Sequence, residues 1–201
     1  MNGKFFDLKK EKQDRMINAA LKIFAINGYK HASTDDIVKE AGISKGLLFH
    51  YFVNKLGVYR FVYDYSVRYM SLELTTRVST RETSFFEIMK QTQEARMNAA
   101  RGYPYMHRFL DRSRSENLSE LLMVIGEKSE ILENTYQSIY DRIDYTTLPA
   151  GVDGRKLQKL ILHAADGLIM EHFADHSFQA DMVLEEILQE IDMIQKMTGQ
   201  V

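Results

Sequence analysis

The sequence predicts an all-α fold, and three observations support this prediction. Only two prolines, Pro104 and Pro149, occur among the 201 residues, so long helices can form almost everywhere. Apolar residues recur at helical spacing along most of the chain. The one segment that partly alternates, residues 72–80, has no neighbouring strand candidate, so we interpret it as a helix end and a loop.

The composition excludes several classes of protein. Cysteine is absent, so disulfides and thiolate metal sites are excluded. The N-terminus lacks the apolar stretch of a signal peptide, and no uninterrupted run of about 18 apolar residues occurs. These features predict a soluble cytoplasmic protein with no membrane partner.

Charge is distributed unevenly along the chain. Residues 1–55 contain ten Lys and Arg against six Asp and Glu, which leaves 16 against 22 for residues 56–201. A basic N-terminal part on an acidic remainder indicates that only the first part faces a polyanion. The lysines before residue 13 can add nonspecific phosphate contacts, although a short charged terminus is more often simply solvated.

The N-terminal part predicts three helices separated by short turns. The first carries its apolar residues on one face, and Gly28 is predicted to end it. Ser33 and Asp36 predict a capping box that opens the second helix. Gly42 then permits a tight exit, and Ser44 can cap the third helix two residues later. Two helices of about two turns joined in this way predict a helix-turn-helix.

The segment NAALKIFAINGYKHASTDDIVKEAGISKGLLFHYFVNKLGVY, residues 18–59, resembles the N-terminal signature of TetR-family transcriptional regulators. The resemblance implies a DNA-binding domain over residues 1–54 and a larger helical effector-binding and dimerisation domain over residues 55–201. It also implies double-stranded operator DNA and a second copy of the chain as partners. Two departures matter: Asp35 stands where some members carry a base-reading arginine, and Leu47 stands where Thr or Ser is frequent.

The resemblance also implies which residues touch DNA. Those expected in the major groove are Lys45, Gly46, Leu47 and His50, and those expected on phosphates are Ser33, Thr34, Ser44, Tyr51 and Lys55. Lysine can reach guanine acceptors, whereas leucine offers only an apolar contact such as one with a thymine methyl group. Asn54 is a plausible cap for a fourth helix, at whose N-terminus Lys55 could share a phosphate.

The last two predicted helices, about 155–175 and 179–197, carry apolar residues over broad arcs. A wide apolar arc needs cover on two sides, and a second copy of the chain supplies this in a four-helix interface. The residues predicted for this dimer interface are Ile161, Ala164, Leu168, Leu184, Ile187, Leu188 and Ile191. A helix pair covered entirely by its own chain is the alternative.

The region after residue 55 is also predicted to hold a small-molecule site. Its many Met, Tyr and Phe side chains suit an adaptable apolar cavity for an apolar or aromatic effector. The candidate lining residues are Tyr65, Tyr69, Met70, Phe86, Met89, Tyr105, Phe109 and His163. Ordinary core packing explains each of them as well, and Arg96, Arg101 or His163 could instead serve an anion.

Enzymatic sequence signatures are absent. We find no glycine-rich phosphate loop, nucleophile elbow or dinucleotide fingerprint, and we expect no cofactor and no metal. The segment EHFADH does place His172 and His176 on one helical face, a spacing that can bind zinc.

The residue patterns and the resemblance together predict a homodimeric repressor released from operator DNA by a small molecule. An activator, a regulator controlled by a protein partner and, less favoured, an all-helical metal-dependent enzyme are the alternatives.

Overall fold

The computed structural model describes residues 3–199, and all regular elements in this range are helical, so the all-α prediction is confirmed. The α-helices are α1 (Lys10–His31), α2 (Thr34–Ala41), α3 (Lys45–Phe52), α4 (Lys55–Arg77), α5 (Phe85–Gly102), α6 (Met106–Arg114), α7 (Ser119–Tyr140), α8 (Gly154–Ala174) and α9 (Ala180–Met197). Short 3₁₀ helices span Gly3–Asp7 and Tyr145–Thr147. Within the described range, no helix is both long enough and apolar enough to cross a membrane.

The chain divides into two compact units. One contains the residues up to Tyr69 together with Gly102–Leu132, and the other contains Met70–Arg101 together with the residues from Glu133 onward. The predicted boundary after residue 54 is a division by function and stays a prediction. Residues 1, 2, 200 and 201 of the two predicted domains lie outside the described residues.

The helix-turn-helix forms because its turns carry the side chains that such turns need. The Ser33 hydroxyl accepts from the Asp35 amide at 3.0 Å, so the predicted capping box with Asp36 is wrong in its donor. Gly42 adopts φ 62°, a left-handed conformation that suits glycine. The Ser44 hydroxyl then accepts from the Leu47 amide at 3.2 Å and starts α3.

Gly28 interrupts α1 with a non-helical conformation (φ 68°), as predicted for a helix stop, and one short helical turn follows it before the element ends at His31. A Cβ atom here would lie 2.9 Å from the Arg112 guanidinium. The carboxylate of Glu116 accepts the next amide, that of Tyr29, at 2.7 Å. The end of α1 is therefore fixed by residues at and just beyond the end of α6.

An N-terminal aromatic residue completes the core behind α3. Phe5 is fully buried, with its ring centroid 5.6 Å from that of Tyr51, 5.3 Å from that of Phe52 and 4.9 Å from that of Phe61. The side-chain amide of Gln13 donates to two backbone carbonyls of the same segment at 3.1 and 2.7 Å. The N-terminal segment is therefore part of the core, although the sequence pattern indicated a solvated end.

Candidate nucleic-acid interface

Helix α3 has one buried and one exposed face. Leu48 and Phe52 are buried, as the sequence predicts, and they hold the helix against the core. The opposite face exposes Lys45, Gly46 and His50, and Leu47, half-buried, lies beside them; Ser44, just before α3, is exposed too. Apart from the adjoining residues and the backbone of α3 itself, no atom lies within 4 Å of the position that a Cβ atom would take at Gly46, so this side of the helix is open.

Tyr51 is placed differently from the other predicted DNA contacts. It is only 7% exposed, and its ring packs against Phe5 and, at a centroid distance of 4.9 Å, against His50. The ring thus belongs to the core. The predicted phosphate contact of Tyr51 would depend on its hydroxyl alone.

Three predicted phosphate contacts come together beside α3. Ser33, Thr34 and Lys55 line a surface depression of about 520 Å³, whose remaining lining residues are Ala32, Phe49, Val53 and Asn54. Two hydroxyls and an ammonium group in one depression can donate to an anionic oxygen. The structure thus brings together side chains that the sequence separates by about twenty residues.

Lys55 has a structural task in addition to its predicted one. Its ammonium group donates to the carbonyl oxygens of Tyr29 at 2.8 Å and Ala32 at 3.2 Å, and it lies 4.4 Å from the centroid of the Tyr29 ring. These carbonyls follow the kink of α1 and lack partners in the helix. An ammonium group has three donors, so one remains for a phosphate.

The junction between α3 and α4 is tightly built. The Asn54 side chain accepts from the Gly57 amide at 2.8 Å, which confirms the predicted cap of the fourth helix. A Cβ atom at Gly57 would lie 2.1 Å from the Phe52 carbonyl oxygen, so only glycine fits. Val53, which lies between α3 and α4, adopts φ 58° and ψ −53°, a strained conformation for a β-branched residue.

Replacing Val53 by glycine should raise the free energy of unfolding by about 1 kcal/mol. The relief of backbone strain, about 1–3 kcal/mol, exceeds the roughly 0.5–1 kcal/mol that glycine costs through its greater freedom in the unfolded chain. Little packing is lost, because Val53 is 76% exposed. Urea unfolding measures the change, and a less stable variant would show that the backbone at residue 53 is not strained.

An ion pair joins the two helices of the helix-turn-helix. The ammonium nitrogen of Lys45, at the start of α3, lies 2.8 Å from a carboxylate oxygen of Asp35 in α2. Both side chains remain exposed, at 52% and 68%. Lys45 therefore faces solvent with a carboxylate at its side, an arrangement that the sequence pattern did not predict.

The predicted dimer residues fall into two groups. Ile161, Ile187 and Ile191 are buried by the chain itself, so they are not available to a partner. The other four, Ala164, Leu168, Leu184 and Leu188, are half-buried. The large apolar side chains that α8 and α9 do expose are Leu160, Met170, Met182, Met193 and Met197, none of which was predicted for the interface. A broad apolar arc does not reveal which part its own chain covers.

The predicted effector residues are divided between the two compact units. Tyr65, Tyr69, Tyr105 and Phe109 lie in the first unit, and Met70, Phe86, Met89 and His163 lie in the second. Phe109, Met70, Phe86 and Met89 are buried in the cores of their units, the three tyrosines are half-buried, and His163 is exposed. Core packing accounts for the four buried residues.

Tyr65 is engaged in a hydrogen-bonded chain that leads to α1. Its hydroxyl lies 2.6 Å from that of Tyr103, and the Tyr103 hydroxyl donates to Asp14 at 2.5 Å. Lys10 donates to the same Tyr103 hydroxyl at 3.0 Å. Burial and the bond to Asp14 raise the pKa of Tyr103, so it stays a donor at neutral pH. This chain connects α4 with the N-terminal turns of α1.

The second unit contains a buried charge. Arg96, on α5, is almost fully buried and forms an ion pair with Asp166 of α8. Its guanidinium group also donates to the side-chain oxygen of Gln93 at 2.7 Å. The amide nitrogen of Gln93 is buried and has no hydrogen-bond partner in the described structure. The sequence marks Arg96 only as one of three residues that could serve an anion, and it does not single out Gln93.

The segment with zinc-like histidine spacing has another role. One ring nitrogen of His172 lies 2.7 Å from the Ser177 hydroxyl, and the other lies 3.0 Å from the Glu186 carboxylate. These bonds connect α8, the following turn and α9. Over residues 3–199, no three His, Cys, Asp or Glu side chains are arranged to hold a metal ion.

Comparison with known sequences points to one family. Residues 16–60 match the family model described as bacterial regulatory proteins, tetR family. The chain is 42% identical over 59 residues to the uncharacterized HTH-type transcriptional regulator YuxN of Bacillus subtilis, and 39% identical over 49 residues to TtgW of Pseudomonas putida, which carries the same description. The matches cover 27% and 24% of this chain, and 20% of YuxN and 37% of TtgW.

Solved structures share the fold over most of the chain. The TetR-family regulator PfmR from Thermus thermophilus matches with a TM-score of 0.60 at 20% identity, covering 88% of this chain and 96% of its own. A TetR-family regulator from Chloroflexus aurantiacus matches with a TM-score of 0.59 at 18% identity, covering 96% and 94%. FadR from Bacillus subtilis, solved in complex with stearoyl-CoA, matches with a TM-score of 0.57 at 19% identity, covering 88% and 96%. Residues 16–60 are therefore similar to the tetR family of bacterial regulatory proteins, and the chain shares the all-helical fold of these solved regulators.

Proposed function

We propose that the protein is a DNA-binding transcriptional regulator whose helix α3 reads the major groove of an operator. The observation that carries this proposal is the exposed face of α3, with Lys45 and His50 on it and the depression formed by Ser33, Thr34 and Lys55 beside it. Phosphate contacts in the depression fix orientation, and the face of α3 reads base edges. Because such a regulator must reach the chromosome, the proposal includes a cytoplasmic location.

The proposed functional form is a homodimer. One helix of eight residues touches few bases, whereas two helices held about 34–36 Å apart read successive turns of a near-palindrome. The exposed Leu160 on α8 and the exposed methionines 182 and 193 on α9 support a partner on these helices, and Ala164, Leu168, Leu184 and Leu188 would lie at its edge. Sedimentation at micromolar concentration tests this, and a clean 23 kDa species would exclude the dimer.

The proposed regulation is release from DNA by a small molecule bound in the region after residue 55. A relative of the same fold, FadR from Bacillus subtilis, holds stearoyl-CoA, which supports a ligand site in this region. The buried Arg96 and the unpaired amide of Gln93 offer polar groups to such a ligand. Moving the protein from 1% to 99% released requires a ligand that prefers the released state by about 5.5 kcal/mol.

Selection of bound fragments from the host genome is the experiment that tests the DNA-binding proposal. Enrichment of a near-palindromic sequence is the expected result, and recovery of unselected DNA would contradict the proposal. A reporter placed behind the selected operator then shows whether the protein represses or activates, since DNA binding through α3 would serve either role. Genes next to the operator suggest effectors to test for release.

Replacing Lys45 by alanine should reduce discrimination at one base position of each half-site by about 1–3 kcal/mol, because lysine reads the guanine acceptors. Affinities for the operator and for single-substitution variants of it, measured at fixed salt by fluorescence anisotropy, give this value. Equal losses on operator and unrelated DNA would instead make Lys45 a phosphate contact.

A further inference from the structure

Stability of the fold is not enough to explain the ion pair between Asp35 and Lys45. Exposed pairs of this kind contribute little to folding. Asp35 does occupy the first turn of α2, where a carboxylate favours the helix N-terminus. Asp36 occupies the same turn and supplies the same charge, but only Asp35 reaches Lys45.

A carboxylate at this place opposes DNA binding in general. Lys45 lies on the face of α3 proposed to enter the major groove, and Asp35 extends to its ammonium group. Phosphates repel such a carboxylate whatever the base sequence, so it lowers affinity for all DNA. A benefit arises only where the carboxylate meets a hydrogen-bond donor, and the donors in the major groove are the amino groups of cytosine and adenine.

The spacing of the ion pair matches one base pair well. In the major groove, a G·C pair presents the acceptors N7 and O6 of guanine followed by the amino donor of cytosine. O6 and the cytosine amino nitrogen are hydrogen-bonded to each other, so they lie about 2.9 Å apart. Lys45 and Asp35 present a donor and an acceptor 2.8 Å apart, in the complementary order.

An A·T pair fits this donor and acceptor less well. Its edge places the adenine amino donor between two acceptors, N7 of adenine and O4 of thymine. A carboxylate that accepts from the adenine amino group therefore lies between two acceptors, and the ammonium group of Lys45 can offset the repulsion from only one of them. The order of groups on the base pair thus selects G·C.

We propose that Asp35 and Lys45 form one reading unit for a G·C base pair, in which Lys45 donates to guanine and Asp35 accepts from the cytosine amino group. This inference rests on the proposed DNA-binding function. Asp35 is thereby a specificity-determining residue, although it lies outside the recognition helix. Each operator half-site is expected to contain a G·C pair where the N-terminus of α3 meets the groove.

The test compares Asp35→Ala with the matched variant Asp36→Ala, because alanine removes both the charge and the hydrogen-bond acceptor. Both substitutions remove one negative charge from the same exposed turn, so both should raise affinity for unrelated DNA alike. Binding is measured at fixed salt to the selected operator and to variants with each base pair replaced in turn. Asp35→Ala should lower discrimination about tenfold at one G·C position, the position also affected by Lys45→Ala, whereas Asp36→Ala should leave every ratio unchanged.

A base analogue isolates the proposed atom contact. Pyrimidin-2-one, which lacks the amino group of cytosine, is placed at the identified position. The wild-type protein should lose about tenfold more affinity on this substitution than Asp35→Ala does, because only the wild type has a side-chain acceptor for that amino group. Equal losses for the two proteins overturn the inference.

Two further results would also overturn it: an A·T pair at the position governed by Lys45, or the same change on every DNA for Asp35→Ala and Asp36→Ala. Both leave operator binding itself intact. Failure of the proposed function looks different, because the wild-type protein would then prefer no sequence at all.

Discussion

Replacing Phe5 by alanine should lower the free energy of unfolding by about 3–5 kcal/mol, the largest effect expected for a residue outside the long helices. The loss includes the transfer of a fully buried ring and the cavity left among Tyr51, Phe52 and Phe61. Urea unfolding followed by circular dichroism measures the change. The cavity lies directly behind α3, so operator affinity should fall as well.

Phe6→Ala is the matched control for this prediction. It removes an aromatic ring from the neighbouring position, but Phe6 is 54% exposed, so the expected loss is below about 1 kcal/mol. Similar losses for the two variants would show that the N-terminal segment does not insert Phe5 into the core. A variant that begins at residue 9 should resemble Phe5→Ala.

Replacing Asp166 by alanine should lower the free energy of unfolding by about 3 kcal/mol. Without the Asp166 carboxylate, the buried guanidinium group of Arg96 loses the ion pair that offsets part of its desolvation cost. A buried charge that loses its partner costs about 3–5 kcal/mol. The lower end of this range applies because Asp166 is itself about half exposed. Thermal and denaturant unfolding both measure the loss.

The pair between Arg101 and Asp181 provides the control for this second prediction. It joins α5 to another helix, as the Arg96 pair does, but both partners are exposed. Asp181→Ala should therefore cost less than about 1 kcal/mol. The double variant Arg96→Met with Asp166→Ala should recover much of the stability lost by Asp166→Ala. If it does not, the loss does not come from the buried guanidinium that has lost its carboxylate.

Features encoded by neighbouring residues could be predicted from the sequence. The Ser44 and Asn54 caps and the left-handed Gly42 each depend on a few adjacent positions, and all three occur in the structure. The limits of α8 and α9 likewise follow their apolar periodicity. Within the candidate site, periodicity placed Leu48 and Phe52 in the core and thereby identified the exposed face of α3.

Features that join distant parts of the chain could not be predicted in this way. Phe5 reaches α3 and α4, and Arg96 reaches Asp166, through contacts that no local pattern records. The bond from Lys55 to the carbonyl of Tyr29 is of the same kind. The dimer residues were predicted from the broad apolar faces of the last two helices. Ile161, which its own chain buries, shows that such a face does not reveal whether the same chain or a partner covers it.

The absence of a side chain at Gly57 lets the first turn of α4 pack closely against the end of α3. The backbone there has no room even for a methyl group beside the Phe52 carbonyl, and Lys55 fastens the same turn to the end of α1. The first turns of α4 are therefore in direct contact with both α3 and the end of α1. We expect a rotation of these turns to move α3 with them, because the two helices are in direct contact at this junction.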